Sequence, residues 1–230
     1  LNYFSFAENS QTASFYRPLA TQFFFFVFQK LFGLWALPWY LFVSLMFGVS
    51  IFLVYKVTNE LAIKFKNEKE LWEISLISAL IYGVSVTNFT HLYFLSTFQE
   101  IGMVIGVLGA VLSYLKRYKL RTLIFWVIGL LCKETAIVLP GLLISYELIK
   151  GVSLKKDRQL ENVTKVAAHF IKQGWQIVIL GLIYIYLRLG IFQSIQGDSY
   201  VWNFSIVKAA NTLMWYIFWS LGTPEMVVDF

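Results

Sequence analysis

Residues 36–55, ALPWYLFVSLMFGVSIFLVY, form a run of twenty residues without a charge, closed by Lys56. About 20 apolar residues is the length a helix needs to cross the hydrocarbon of a bilayer. The run is not isolated. The chain of 230 residues is 58% hydrophobic and only 14% charged, whereas a soluble domain averages about 45–50% apolar and about 25% charged. A soluble fold of this size lacks the interior to hide so much apolar surface. The expectation is an integral membrane protein of all-α class, a polytopic transmembrane helical bundle.

Basic residues give the expected topology. Fourteen of the 19 Lys and Arg fall in three clusters: Lys56, Lys64, Lys66 and Lys69; then Lys116, Arg117, Lys119 and Arg121; then Lys150, Lys155, Lys156, Arg158, Lys165 and Lys172. Short Lys/Arg-rich loops stay on the cytoplasmic side, so the net charge of +6 reports orientation and does not imply nucleic acid. Crossings are then expected at 36–56, as a pair within 74–115, at 173–191, and beginning at 206–221. The outer turn of the pair covers His91 to Gln99. The segment 122–149 is too short for two full crossings. A single crossing would put the third cluster outside. A pair of short helices entering from the cytoplasmic side and turning near Lys133–Thr135 fits better than one long tilted helix, because irregular backbone at membrane depth is tolerated beside a protein-walled cavity. Residues 1–34 then lie outside. Pro18 suits the first turn of a helix and Gly33 its end, and the segment between them suits a helix lying in the membrane interface. Its four consecutive Phe cannot share one helical face, so neighbouring protein should cover some of them. Cys132 stands alone and reads as a small apolar filler.

Charge within a bilayer is costly and tends to mark an interior site. Lys133 and Glu134 in GLLCKETAIVLP either neutralise one another to key helix packing or face an anion in an outward-open cavity. Glu100 closes a capping box with Thr97, and at the outer boundary it also stands where a carboxylate reaches a substrate. Gln99 and His91 share its turn, with His91 reading as an interfacial polar residue more readily than as a ligand. Arg17, in SFYRPLA, suits lipid headgroups or the bidentate grip of a phosphate. Arg188 suits snorkelling at the outer end of its span. Asn88, Asn162 and Asn203 each begin a glycosylation triplet, a pattern common by chance. The sequence carries no HExxH, paired Cys, P-loop or GxGxxG. Several cations with a few carboxylates around an outward cavity suit an anionic lipid or lipid phosphate.

YRPL at 16–19, LFGL at 31–34, FLSTFQEIG at 94–102 and LLCKETAIVLP at 130–140 occur in that order. This arrangement resembles the multi-spanning GT-C glycosyltransferases, closest to the protein O-mannosyltransferase-related group with transmembrane and tetratricopeptide-repeat regions and its bacterial relatives. The resemblance covers about residues 14–150 and continues weakly to Arg188. It implies transfer of a sugar from a polyprenyl-phosphate donor to a protein or glycan acceptor on the outer or lumenal face. The membrane would be a bacterial or archaeal plasma membrane, or the endoplasmic reticulum. By motif it places Arg17, Glu100, Lys133 and Glu134 at the cavity, with Glu100 as the catalytic candidate and Arg17, Lys133, Glu134, His91, Gln99 and Arg188 as substrate contacts. It further implies that residues 1–230 are part of a transferase domain whose first helix and main catalytic acid lie upstream of Leu1, together with any divalent metal site. No tetratricopeptide repeat occurs in these residues. Two other classes fit the residues themselves: a transporter or flippase for a lipid-linked or anionic substrate, which uses broken helices at membrane depth, and a membrane scaffold whose charges pair only with one another.

Overall fold

The computed structural model describes residues 17–66, 72–88, 90–154, 174–187 and 205–220. Among them every regular element is helical. A π-helical turn, Pro18–Phe23, leads into α1 (Phe24–Phe32). Then come α2 (Ala36–Lys66), α3 (Trp72–Val84), α4 (Thr90–Tyr93), α5 (Phe98–Leu115), α6 (Lys119–Cys132), α7 (Leu139–Leu154), α8 (Gly174–Leu187) and α9 (Ile206–Ser220). Short 3-10 turns occupy Val86–Asn88, Leu95–Thr97 and Glu134–Val138. By length and composition two stretches can cross a bilayer, Ala36–Lys64 and Leu95–Leu115, or three if the bent pair Trp72–Val84 and Val86–Tyr93 counts as one. The chain is a membrane protein on that ground.

The first expected crossing is longer than its apolar run, since α2 extends ten residues beyond Lys56 to Lys66. The next is not straight. Its helix stops at Val84, and the following piece turns away by 52°. The stretch after Val84, SVTNFT, is rich in side chains that bond their own backbone and so compete with the helix. Asn88 Nδ2 donates to Tyr82 O at 2.6 Å, and the Ser85 and Thr87 hydroxyls bond one another at 2.8 Å. Asn88, the first residue of a glycosylation triplet, thus has its amide engaged in stopping a helix. A cleft of about 450 Å³ opens at this bend, lined by Phe47, Ser85, Asn88 and Leu92 among others.

The centre of the fold is an antiparallel hairpin of α5 and α6 joined at Lys116–Tyr118. Gly102 lies against Cys132, Gly106 against Gly129 and Gly109 against Phe125. These three glycines recur every three to four residues on α5, and the missing side chains let the two backbones approach closely. Cys132 is buried as expected and fills the space beside Gly102. α6 ends at Lys133, whose backbone is extended (φ −156°, ψ 140°) before the 3-10 turn and α7. Both ends of the segment 119–154 lie towards the Lys116 end of α5. α6 starts there, and on α7 Glu147 accepts from Tyr114 OH at 3.0 Å while Tyr146 sets its ring edge-on to Tyr114. The turn itself is level with the opposite end of α5, next to Gly102 and Glu100. The hairpin therefore runs the length of a whole helix, about 21 Å for the 14 residues of α6, and does not stop halfway along α5.

Trp126 holds this turn in place. It is fully buried, and its Nε1 donates to Ala136 O at 2.8 Å across the break. Around it Val107, Ala110, Leu130, Leu139, Leu143 and Ile177 make one core, which recruits α8. Trp126→Phe takes one of two donors from the Ala136 carbonyl, which keeps the Leu139 N–H, and opens space at the junction. A loss of about 2 kcal/mol is expected, read as earlier thermal melting in detergent by circular dichroism.

A second core forms at the other end of α5 from Ala20, Phe24, Trp39, Val43, Phe47, Phe98, Ile101 and Cys132. Phe24 stacks on Phe98 with ring centroids 4.1 Å apart and meets Trp39 edge-on at 5.5 Å. Phe24 is buried whereas Phe23 and Phe26 are exposed, so neighbouring protein covers one of the four consecutive rings fully. Gly33 closes α1 with φ +58°, a backbone state that costs glycine nothing. This second core fixes the entry of the π-helical turn beside α5 and α6, and so fixes Arg17.

Candidate functional site

Five of the side chains singled out in the sequence meet at the Glu100 end of α5. They come from four separate features of the fold. Arg17 precedes Pro18, which starts the π-helical turn packed on α6. Gln99 and Glu100 lie in the first turn of α5. Lys133 is the extended residue that ends α6, and Glu134 begins the next turn.

The Arg17 guanidinium grips Glu134 with two atoms, Nε to Oε2 at 2.8 Å and Nη2 to Oε1 at 2.5 Å, and donates from Nη1 to Gln99 Oε1 at 2.6 Å. Lys133 Nζ is paired with Glu100. The hydrogen bond to Glu134 holds the Arg17 guanidinium above its ordinary range, so it stays charged throughout the pH range of a folded protein. Side-chain exposure is 12% for Arg17, 32% for Glu134, 20% for Lys133 and 27% for Glu100. The cluster is half-sunk, with its carboxylates nearer the opening.

This geometry corrects two readings of the sequence. Lys133 and Glu134 do not neutralise each other. The extended backbone at Lys133 aims consecutive side chains in different directions, and each takes its partner from a distant part of the chain. Nor does Thr97 cap α5. Its hydroxyl donates to Phe94 O at 2.6 Å and makes no bond to the first turn. Leu95–Thr97 already coils as a 3-10 turn, which leaves the Glu100 carboxylate available to Lys133.

His91, on α4, lies close enough for the charges of Glu100 and Lys133 to act on it, and its Nδ1 is buried without a hydrogen-bond partner among the described residues. Tyr184, on α8, acts electrostatically on Arg17; the IYIY run that contains it carries no sequence signal of a site. Arg188 lies outside the described residues, as do Asn162 and Asn203.

Chemically the cluster offers two fixed cations, two carboxylates and an amide at one partly open end of the bundle. The residues do not suit a divalent metal. Among the described residues no three His, Cys, Asp or Glu gather to hold one, and each of the two carboxylates here is already held by a cation. The cleft at the Ser85 bend contains none of the five residues and is mainly apolar. Comparison with protein-family models, with curated proteins and with solved structures finds nothing similar to this chain.

Proposed function

We propose that the chain is a membrane glycosyltransferase of GT-C type that takes a sugar from a polyprenyl-phosphate donor and transfers it to a protein or glycan acceptor on the outer or lumenal face. The observation that carries the reading is the convergence of Arg17, Gln99, Glu100, Lys133 and Glu134 at one end of α5, while Lys116, Arg117, Lys119 and Arg121 occupy the other. In this topology the basic end faces the cytoplasm and α1 lies at the outer boundary. α6 and α7 run the length of α5 to its outer end and back, and α8 and α9 contribute to further crossings of a polytopic bundle.

The chemistry follows from charge. As the bond between the sugar and the phosphate oxygen breaks, the phosphate gains negative charge. Lys133 and Arg17, preorganised in a partly dry site, stabilise that charge better than water does. Glu100, released by Lys133, accepts the proton of the acceptor hydroxyl as the new glycosidic bond forms. Lys133→Ala is expected to lower transfer about 100-fold in membranes containing the protein, a polyprenyl-phosphate sugar and the acceptor, with the amount of protein unchanged on a blot. Full turnover in that variant removes Lys133 from the site.

A scaffold role is the second reading. It draws on the fact that each cation of the cluster already has a carboxylate partner, an arrangement that also serves packing alone.

A further inference from the structure

The other end of α5 carries a feature that the transfer reaction does not use. The turn after α5 closes with the two hydrogen bonds of a Schellman motif, Arg117 N to Tyr114 O at 2.9 Å and Tyr118 N to Ser113 O at 2.9 Å. That motif places one residue in the left-handed region, usually glycine. Here the residue is Arg117, with φ +63°, the sole non-glycine residue of positive φ among those described. A side chain in that state is disfavoured relative to glycine. The long cationic side chain occupies a position where the backbone favours none.

Its surroundings show what the guanidinium can meet. Among the described residues no carboxylate pairs with Arg117, Lys119 or Arg121, and all three are exposed. Lys116, beside them, reaches Glu60 on α2 at 3.3 Å. Lys150, one turn beyond Tyr146 on α7, lies over the Tyr146 ring at 6.0 Å, and Arg121 lies over the Tyr118 ring at 4.8 Å. Among the described residues, the carboxylates bonded at this end are Glu60, engaged by Lys116, and Glu147, engaged by Tyr114. Tyr118 and Tyr146 are amphipathic rings of the kind that settle at headgroup depth, and Leu120 next to them is strongly exposed. Apolar surface, tyrosines and exposed cations thus follow one another over a short distance at the end of a helix able to span a membrane.

We infer that the Lys116–Arg121 turn and the end of α7 form a binding site for the headgroup of an anionic phospholipid of the surrounding membrane, with Arg117 held in its left-handed conformation to reach the phosphate. Basic pockets between membrane helices take lipid headgroups in this way, and a planar guanidinium suits a phosphate. The lipid's acyl chains lie along the exposed apolar side of α6.

The test uses the whole chain in neutral detergent, with native mass spectrometry counting retained phosphatidylglycerol or phosphatidylcholine. The unaltered protein should retain phosphatidylglycerol in preference. Arg117→Gly should weaken that retention about fivefold, and Arg117→Gly with Arg121→Gln about 25-fold, at about fivefold per basic residue. Because glycine accepts the turn without strain, Arg117→Gly should melt no lower than the unaltered protein in lipid-free detergent. Equal retention of the two lipids, undiminished retention by the variants, displacement of the lipid by millimolar inorganic phosphate, or a lowered melting temperature for Arg117→Gly would each overturn the assignment.

Discussion

Gly106→Ala is expected to destabilise the bundle by about 3 kcal/mol, and Gly106→Val to prevent the α5–α6 hairpin from closing. A β-carbon at Gly106 would stand 2.5 Å from both Cα and N of Gly129 and 2.8 Å from the Phe125 carbonyl oxygen. All three are backbone atoms, so no side-chain rotation relieves the contact and the helices must part. Overpacking of a well-filled contact usually costs about 1–3 kcal/mol, and an obstruction by backbone belongs at the upper end. The comparison variant is Gly48→Ala. That glycine lies within α2 with nothing within 4 Å of the place a methyl group would take, so alanine there should be neutral or stabilise by up to about 1 kcal/mol through helix propensity. Thermal melting of both variants in detergent decides the matter. Equal melting temperatures would mean that the hairpin is not held by close backbone approach. The consequence reaches the polar cluster, because the same register that sets Gly106 on Gly129 brings Lys133 to Glu100.

Much of this frame follows from residue type and spacing. The uncharged run from Ala36 marks α2, Pro18 and Gly33 bound the aromatic segment that holds α1, and the apolar stretch after Phe98 gives α5. The Lys-Glu pair marks a break because two charges seldom share the middle of an apolar helix, and the helix does end at Lys133. The gathering of Arg17, Gln99 and Glu100 around that break follows from placing the basic clusters together at the other end. What spacing does not carry is pairing. Thr97 and Glu100 have the separation of a capping box, yet the hydroxyl turns back to Phe94 because the chain is already coiled before α5 begins. Lys133 and Glu134 are neighbours in sequence, and one extended residue sends them to different partners. The bend after Val84 depends on Asn88 reaching Tyr82, a choice between side-chain and backbone bonds that hydropathy does not register. The glycines of α5 have a readable period, but their meaning depends on which helix lies opposite.

Arg17→Met and Glu134→Gln, alone and combined, separate the two functional readings. Removing the Arg17 guanidinium takes from Glu134 and Gln99, in a half-buried setting, the hydrogen bonds it donates to them. Loss of one partner of a buried pair costs about 3–5 kcal/mol. The low end, about 3 kcal/mol, is expected here because Glu134 retains 32% exposure and some of its hydration. Glu134→Gln keeps one acceptor for the guanidinium and should cost about 2 kcal/mol. In the double variant no charge is left uncompensated, so its stability should exceed that of Arg17→Met, with a positive coupling of about 1–3 kcal/mol between the two positions. Melting in detergent measures this part, and strictly additive losses would show that the pair contributes no coupling. Activity then tells the readings apart. If the cluster exists to lock α1 onto the turn after α6, the double variant recovers function along with stability. If Arg17 exists to hold a donor phosphate, the double variant regains stability and remains unable to transfer sugar, because methionine offers the phosphate neither charge nor a hydrogen-bond donor.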